Sequence, residues 1–225
     1  MPTLPGIVDA AAGGLLGFDT DVIITPANAQ DFFSSGYRYC IRYVSRVPKQ
    51  DPDDLSTEEA LAILSAGLAL MPVQHVRGPG WVPSSDLGAL DGVLAAYRAF
   101  VIGFPQGVNV WCDLEGVSGN ASNQQVIGYC NSWYDAVASA GYVPGLYVGA
   151  DGVLDGHELR FRLKFTHYWK SLSDVPEIEG RGYQLIQSKE QIINGVSIDQ
   201  DLTRVDLLGD TVLWLAPVVS PNDDA

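Results

Sequence analysis

The chain has 225 residues, 47% of them hydrophobic, enough for one domain with a full core and too apolar for a disordered polymer. Its formal net charge of −14 argues against nucleic acid as a partner, because phosphate binding needs a basic surface, and against anionic membrane surfaces. Uncharged or zwitterionic ligands stay open.

The elements read in chain order as strand, then helix, repeated. Residues 1–16 carry no Lys or Arg and no long apolar run, so they read as an extension and not as a secretory signal. Gly17-Phe18-Asp19 closes a first strand, and Ala27 to Phe33 fits a short helix. Tyr37 to Val44 is a second strand. A helix follows from Leu55 to about Ala66, capped by Ser56 or Thr57, with Glu58 and Glu59 in its first turn and Gly67 after it. Leu68 to Val76 is a third strand, interrupted by Pro72, and a Gly/Pro loop around Trp81 leads to a helix over Asp86 to Phe100. Val108 to Glu115 is the fourth strand. Ser122 to Ala140 is a helix stopped by Gly141. Pro144 to Val148, His167 to Lys170, Tyr183 to Gln187 and Val196 to Leu202 supply strands five to eight, with a helix over Leu154 to Phe165. Val205 to Leu208 and Thr211 to Leu215 close the fold, and Pro221 to Ala225 is a polar tail. No internal repeat and no linker divides the chain. No stretch reaches the length of a membrane span.

This alternation predicts an α/β fold with a parallel sheet, either an open doubly wound sheet or a closed (β/α)8 TIM-type barrel. No Gly-rich phosphate fingerprint follows the first strand, so the open nucleotide-binding sheet loses support. Asp19, Arg42, His75, Glu115, Trp169, Gln187 and Asp199 all fall toward the C-terminal ends of their strands, where barrel active sites are built. The expectation is a single barrel domain over residues 17–216, with the extension 1–16 before it and a polar tail, 217–225, after it.

The fourth strand ends in Asp113-Leu114-Glu115. Alternate strand residues face one side, so both carboxyls point to one place. Two like charges held close raise the pKa of one, which then serves as a proton donor near neutral pH. Acid-catalysed glycoside cleavage needs that arrangement. The plain alternative is a pair of solvated carboxylates at a strand end. The three cysteines, Cys40, Cys112 and Cys130, are odd in number and match no zinc spacing, so they read as buried free thiols. His157 and His167 have no metal-ligand partners by spacing, and no cofactor is expected.

Gly17-Phe18-Asp19, Asp113-Leu114-Glu115, Gly145-Leu146-Tyr147 and Ile198-Asp199-Gln200-Asp201, in this order, resemble the motifs of the family-25 glycoside hydrolases, the lysozyme-type muramidases. The Arg42-Tyr43 pair fits better a related bacterial glycoside-hydrolase-like family, described from a mycobacterial cell-surface protein. The resemblance spans about Gly17 to Leu215. It implies a carbohydrate site in which Asp19, Asp113, Glu115 and Asp199 are the carboxylates. Asp201 stands where muramidases tend to have Asn and is expected among the substrate contacts, and Asp19-Thr20-Asp21 replaces their Asp-Val-Ser.

The roles expected from the chemistry are as follows. Glu115 is the general acid. Asp113 orients the substrate, stabilises positive charge, or steers an N-acetyl group that itself attacks. Asp19 and Asp199 hold hydroxyls or keep Glu115 protonated. A retaining, an inverting and a substrate-assisted course are all compatible with the sequence. Arg42 is either a counter-charge in the acidic mouth or a helix-facing residue. Tyr147 and Trp169 are sugar-stacking platforms or core residues. Trp81 is a binding aromatic or a loop anchor. Gln187 bonds a sugar hydroxyl, and His75 is a substrate contact or a structural histidine. The expected function is a glycosidase acting on bacterial cell-wall glycan, with a non-catalytic glycan-binding module as the rival. The expected location is the cell envelope or outside, by a non-classical route such as lysin release or injection, with any immunity or delivery partner left unidentified.

Overall fold

The computed structural model describes residues 3–218; the predicted tail at Pro221 to Ala225 lies outside them. The strands are β1 (Ile7–Ala10), β2 (Leu16–Thr20), β3 (Tyr39–Val44), β4 (Ala69–Gln74), β5 (Asn109–Leu114), β6 (Val143–Val148), β7 (His167–Lys170), β8 (Leu185–Ile193), β9 (Val196–Thr203) and β10 (Leu213–Ala216). The helices are α1 (Pro26–Ser34), α2 (Thr57–Ser65), α3 (Ser85–Ile102), α4 (Asn123–Ser139) and α5 (Gly156–Phe161).

Strands β2 to β9 close into an eight-stranded barrel through the β2–β9 and β4–β5 pairings. Neighbours from β2 to β8 run parallel. The eighth strand does not. β9 is antiparallel to both β8 and β2, so the expected all-parallel (β/α)8 barrel is corrected to a mixed one with fewer helices. The cause is local. β8 and β9 are joined by Asn194-Gly195, both at positive φ, 52° and 81°. A two-residue connection of this kind makes a hairpin, which can only join antiparallel strands. β8 also runs to Ile193, well past the expected end at Gln187.

The β4–β5 seam forks. Near its C-terminal end β4 bonds β5 at Val73 and Gln74, whereas lower down Leu70 pairs with Leu215 of β10. Pro72, which has no N–H to give, stands at the fork. β1, formed by residues ahead of the first expected strand, adds to β10 as an antiparallel partner. Leu213 N also donates to Asn109 Oδ1, which ties β10 to the start of β5. Val205 to Leu208 forms a turn and not a strand.

Helix starts follow the capping chemistry. Ser56 accepts from Glu59 N, Ser84 from Leu87 N, and Ser122 and Asp155 form capping boxes with Gln125 and Glu158. α5 is shorter than the segment Leu154 to Phe165 expected as helix. α3 and α4 approach closely because Gly88 and Gly92 lie between them. A Cβ at Gly88 would come within 2.1 Å of Tyr129 O, and one at Gly92 within 2.6 Å of Trp133 O. Inside the barrel Tyr39, Ile41, Met71, Trp111 and Trp169 are fully or almost fully buried, so the lower barrel is solid core beneath an open upper end.

Candidate active site

Strand alternation decides which side chains enter the barrel mouth. Asp19 of β2 faces inward and lies directly across from Asp199 of β9. Asp113 of β5 faces inward, and Glu115 follows it past the strand end. These four carboxyls line one cleft of about 280 Å³ together with Asp21, Tyr43 and His75. Asp199 arrives there for a reason other than the expected one. Its strand is reversed, so antiparallel register with Asp19 sets its height, not a position at a C-terminal strand end.

No Lys or Arg lines the cleft among the described residues. The carboxyls therefore rise together. Burial, then the charges of Asp199 and Asp21, push Asp19 up to about 7 against hydrogen bonds from Gln187 and Asp201. Burial, then Glu190 and Asp21, push Asp199 up to about 6. Burial followed by Glu115 and Asp19 holds Asp113 well above the usual carboxylate range. Burial followed by Asp199 raises Glu115, which is only partly covered. Asp113 sits on the floor, 5% exposed, and its Oδ1 is buried without a hydrogen-bond partner among the described residues.

Gln187 clamps this group. Its Nε2 donates to Asp19 Oδ2 at 2.8 Å and to Asp199 Oδ2 at 3.4 Å. Its Oε1 accepts from the Tyr147 hydroxyl at 3.1 Å and from Leu172 N at 3.2 Å. With these groups committed, Gln187 orients carboxylates and has little left for a sugar hydroxyl. Tyr147 is nearly buried and meets Trp169 edge-on, with ring centroids 4.6 Å apart. Trp169 is 1% exposed and donates Nε1–H to Asp201 Oδ1 at 2.8 Å. Neither ring offers a free face for stacking, so both belong to the core under the cleft. Asp201 is buried below it, out of reach of a ligand.

Arg42 is not the counter-charge of the acidic mouth. Its neighbours Ile41 and Tyr43 face inward, so Arg42 faces the helix layer. There it is fully buried, donating Nε–H to Glu59 Oε1 at 2.6 Å and Nη1–H to Thr20 O at 2.5 Å. His75 does reach the rim. Its Nε2 lies 2.6 Å from Asp54 Oδ1 and its ring stacks on Tyr43 at 4.5 Å. Burial opposes ionisation of Asp54, but hydrogen bonds from His75 and Ser45 hold it below its ordinary value. Trp81 is a loop anchor: its indole donates to Glu115 O at 2.9 Å, fixing the backbone of the proposed acid. Gly149 leaves room for that acid, since a Cβ there would lie 2.4 Å from Glu115 Cβ.

Sequence reasoning missed Tyr43 and Asp21 as cleft residues, and Asp54 as the rim partner of His75. Tyr43 was accessible by parity, being two residues from Ile41 on an inward-facing row. Asp21 and Asp54 sit outside the regular elements, where spacing carries no direction.

Residues 30–202 match the profile of the Rv2525c-like, glycoside hydrolase-like domain family. No curated protein matches the chain. Among solved structures, the Tat-secreted protein Rv2525c of Mycobacterium tuberculosis, in complex with L-tartrate, superposes with a TM-score of 0.64 at 18% identity, over 86% of this chain and 96% of that one. A muramidase from Trichobolus zukalii gives 0.60 at 16% identity, over 84% and 93%. A family 25 glycosyl hydrolase from Bacillus anthracis gives 0.55 at 11% identity, over 85% and 89%. At these identities the likeness is one of fold.

Proposed function

The chain belongs to the Rv2525c-like, glycoside hydrolase-like domain family, and from that premise we propose that its acidic cleft hydrolyses glycosidic bonds in bacterial cell-wall glycan. The observation that carries this reading is the meeting of Asp19, Asp113, Glu115 and Asp199 in one cleft that no Lys or Arg lines among the described residues. Such a site keeps at least one carboxyl protonated and surrounds the cleavage point with negative potential, which suits an oxocarbenium-like transition state.

Glu115 is the proton donor. It is the more accessible of the two raised acids at the end of β5, its backbone is pinned by Trp81, and it delivers its proton to the leaving oxygen. Asp113 lines the cleft floor with a small exposed edge, suited to accept the N–H of an N-acetyl group and steer its carbonyl toward the anomeric carbon. Asp19 and Asp199, held by Gln187, face the developing positive charge. The muramidase and family 25 names of proteins with this fold support peptidoglycan as the substrate. The Tat-secreted mycobacterial relative supports a place at the cell envelope or outside. No helix among the described residues is long and apolar enough to cross a membrane.

The test is release of reducing ends from purified peptidoglycan and from chitin-type oligosaccharides, beside a pull-down on the same material. Glu115→Gln keeps the shape and removes the transferable proton, so turnover falls about 100-fold to 10,000-fold while binding survives. Wild type that binds and releases nothing between pH 4 and 9 supports the glycan-binding module instead. A Glu115→Gln variant as active as wild type removes Glu115 from the mechanism.

A further inference from the structure

Beneath the cleft, the barrel encloses a carboxyl that the proposed reaction does not use. Asp201 of β9 has no exposed surface. It lies across from Gly17, two residues below the Asp19–Asp199 pair. Its Oδ1 accepts the Trp169 indole N–H at 2.8 Å. Among the described residues no N–H or hydroxyl reaches Oδ2. Gly17, directly opposite, has no side chain, so the inward carboxyl of β2 that faces Asp201 is that of Asp19, diagonally across the same pair of strands. Two carboxyls set together in this way bond only when one of them carries a proton.

The groups around Asp201 are Asp19 from β2, Tyr39 and Cys40 from β3, Trp169 from β7 and Asp199 from its own strand, with Gln187 of β8 beyond Asp19. None is a cation. The Tyr39 hydroxyl is itself buried without a partner among the described residues. Position decides which acid keeps the proton. Asp19 lines the cleft and accepts an N–H from Gln187, which favours its carboxylate form. Asp201 is sealed below, where an ionised carboxyl would have neither water nor a counter-charge.

We infer that Asp201 is held as a neutral carboxylic acid whose O–H donates to Asp19, which makes it a positioning residue that fixes the Asp19 carboxylate in the cleft. The proton travels nowhere in this arrangement; it is a structural hydrogen. Burial and the charge of Asp19 both push the Asp201 carboxyl upward, in the sense the geometry requires. The effect on turnover rests on the glycosidase reading, whereas the buried proton does not.

Asp201→Asn keeps both bonds without a titrating group, because its Oδ1 still accepts from Trp169 and its Nδ2 donates to Asp19. Asp201→Leu fills the space and gives Asp19 no donor. Melting temperatures of the three proteins between pH 4.5 and 8.5 test the idea without substrate. Above the ordinary Asp value the unfolded wild type loses its proton while the folded form keeps it. The folded state then binds more protons, and wild-type stability falls with rising pH relative to Asp201→Asn. The two proteins melt together near pH 4.5, and the gap in favour of Asp201→Asn widens by on the order of 2–4 °C or more toward pH 8. A gap that does not change with pH, or an Asp201→Asn protein that is destabilised or unfolded throughout, overturns the inference. On peptidoglycan, reducing-end release falls roughly tenfold to a hundredfold in Asp201→Leu and is rescued in Asp201→Asn. Equal release by Asp201→Leu overturns the positioning role. Absence of release by wild type sinks the glycosidase reading alone.

Discussion

At the scale of single residues, burial separates the charged side chains into two kinds. Arg42 and Glu59 are both nearly inaccessible and are paired at 2.6 Å between the barrel and α2. Removing one partner strands the other charge, so Arg42→Met is expected to lower unfolding free energy by about 3–5 kcal/mol in urea denaturation. An unchanged midpoint would show that Glu59 finds another partner. Glu115 is the opposite case. It faces like charges and its carboxyl makes no ion pair among the described residues. Glu115→Gln therefore leaves the melting temperature unchanged or raises it, and a large drop would mark Glu115 as structural. Both charges sit near strand ends in the sequence, and strand parity tells them apart. Ile41 and Tyr43 are the inward row of β3, which leaves Arg42 for the helices. The same parity argument puts Trp169 inside, but nothing in the sequence says how deep, and depth is what withdraws it from the ligand.

At the scale of elements, two contacts govern the architecture. The Asn194-Gly195 turn reverses β9, and the reversal lays Asp199 beside Asp19. Gly195→Ala places a Cβ at φ 81° and is expected to cost about 1–2 kcal/mol, read from a lower midpoint. No change would mean that the hairpin relaxes into another turn. The α3–α4 contact is tighter. Gly88→Ala drives a methyl into a backbone carbonyl, so a loss of about 1–3 kcal/mol or more is expected in the same assay. The Asn-Gly turn signal was present in the sequence. It was obscured because Ser188-Lys189-Glu190, beyond the bulge at Gln187, is an exposed polar stretch of β8 outside the barrel wall. Helices α2 and α4 were legible because Ser56 and Ser122 act within a single turn, whereas the Ser84 cap of α3 came only with the structure.

At the scale of the molecule, the acidic mouth sets how stability responds to pH. Asp19 rises to about 7 and Asp199 to about 6, so the folded state retains protons that the unfolded chain has released. Stability from these groups is fully present below the ordinary Asp value and is lost as pH rises toward 7. Asp54 acts in the other direction, its contribution lost as pH falls through its lowered value. Thermal melts from pH 4 to 8 should therefore show stability falling between about pH 4 and 7, and a melting temperature that rises from pH 5 to 7 would contradict the carboxyl cluster as described. The strand and helix periods, the caps at Ser56 and Ser122 and the Asp113–Glu115 pair were determined by the sequence alone, because each depends on residue type and local spacing, while Asp19 and Asp199 were singled out as partners of that pair by the resemblance of ordered motifs. The direction of β9, the burial of Trp169 and Asp201, the commitment of Gln187 and the outward turn of Arg42 were decided only by the tertiary structure, because each depends on which strand lies beside which and on how far from water the closed barrel holds a side chain.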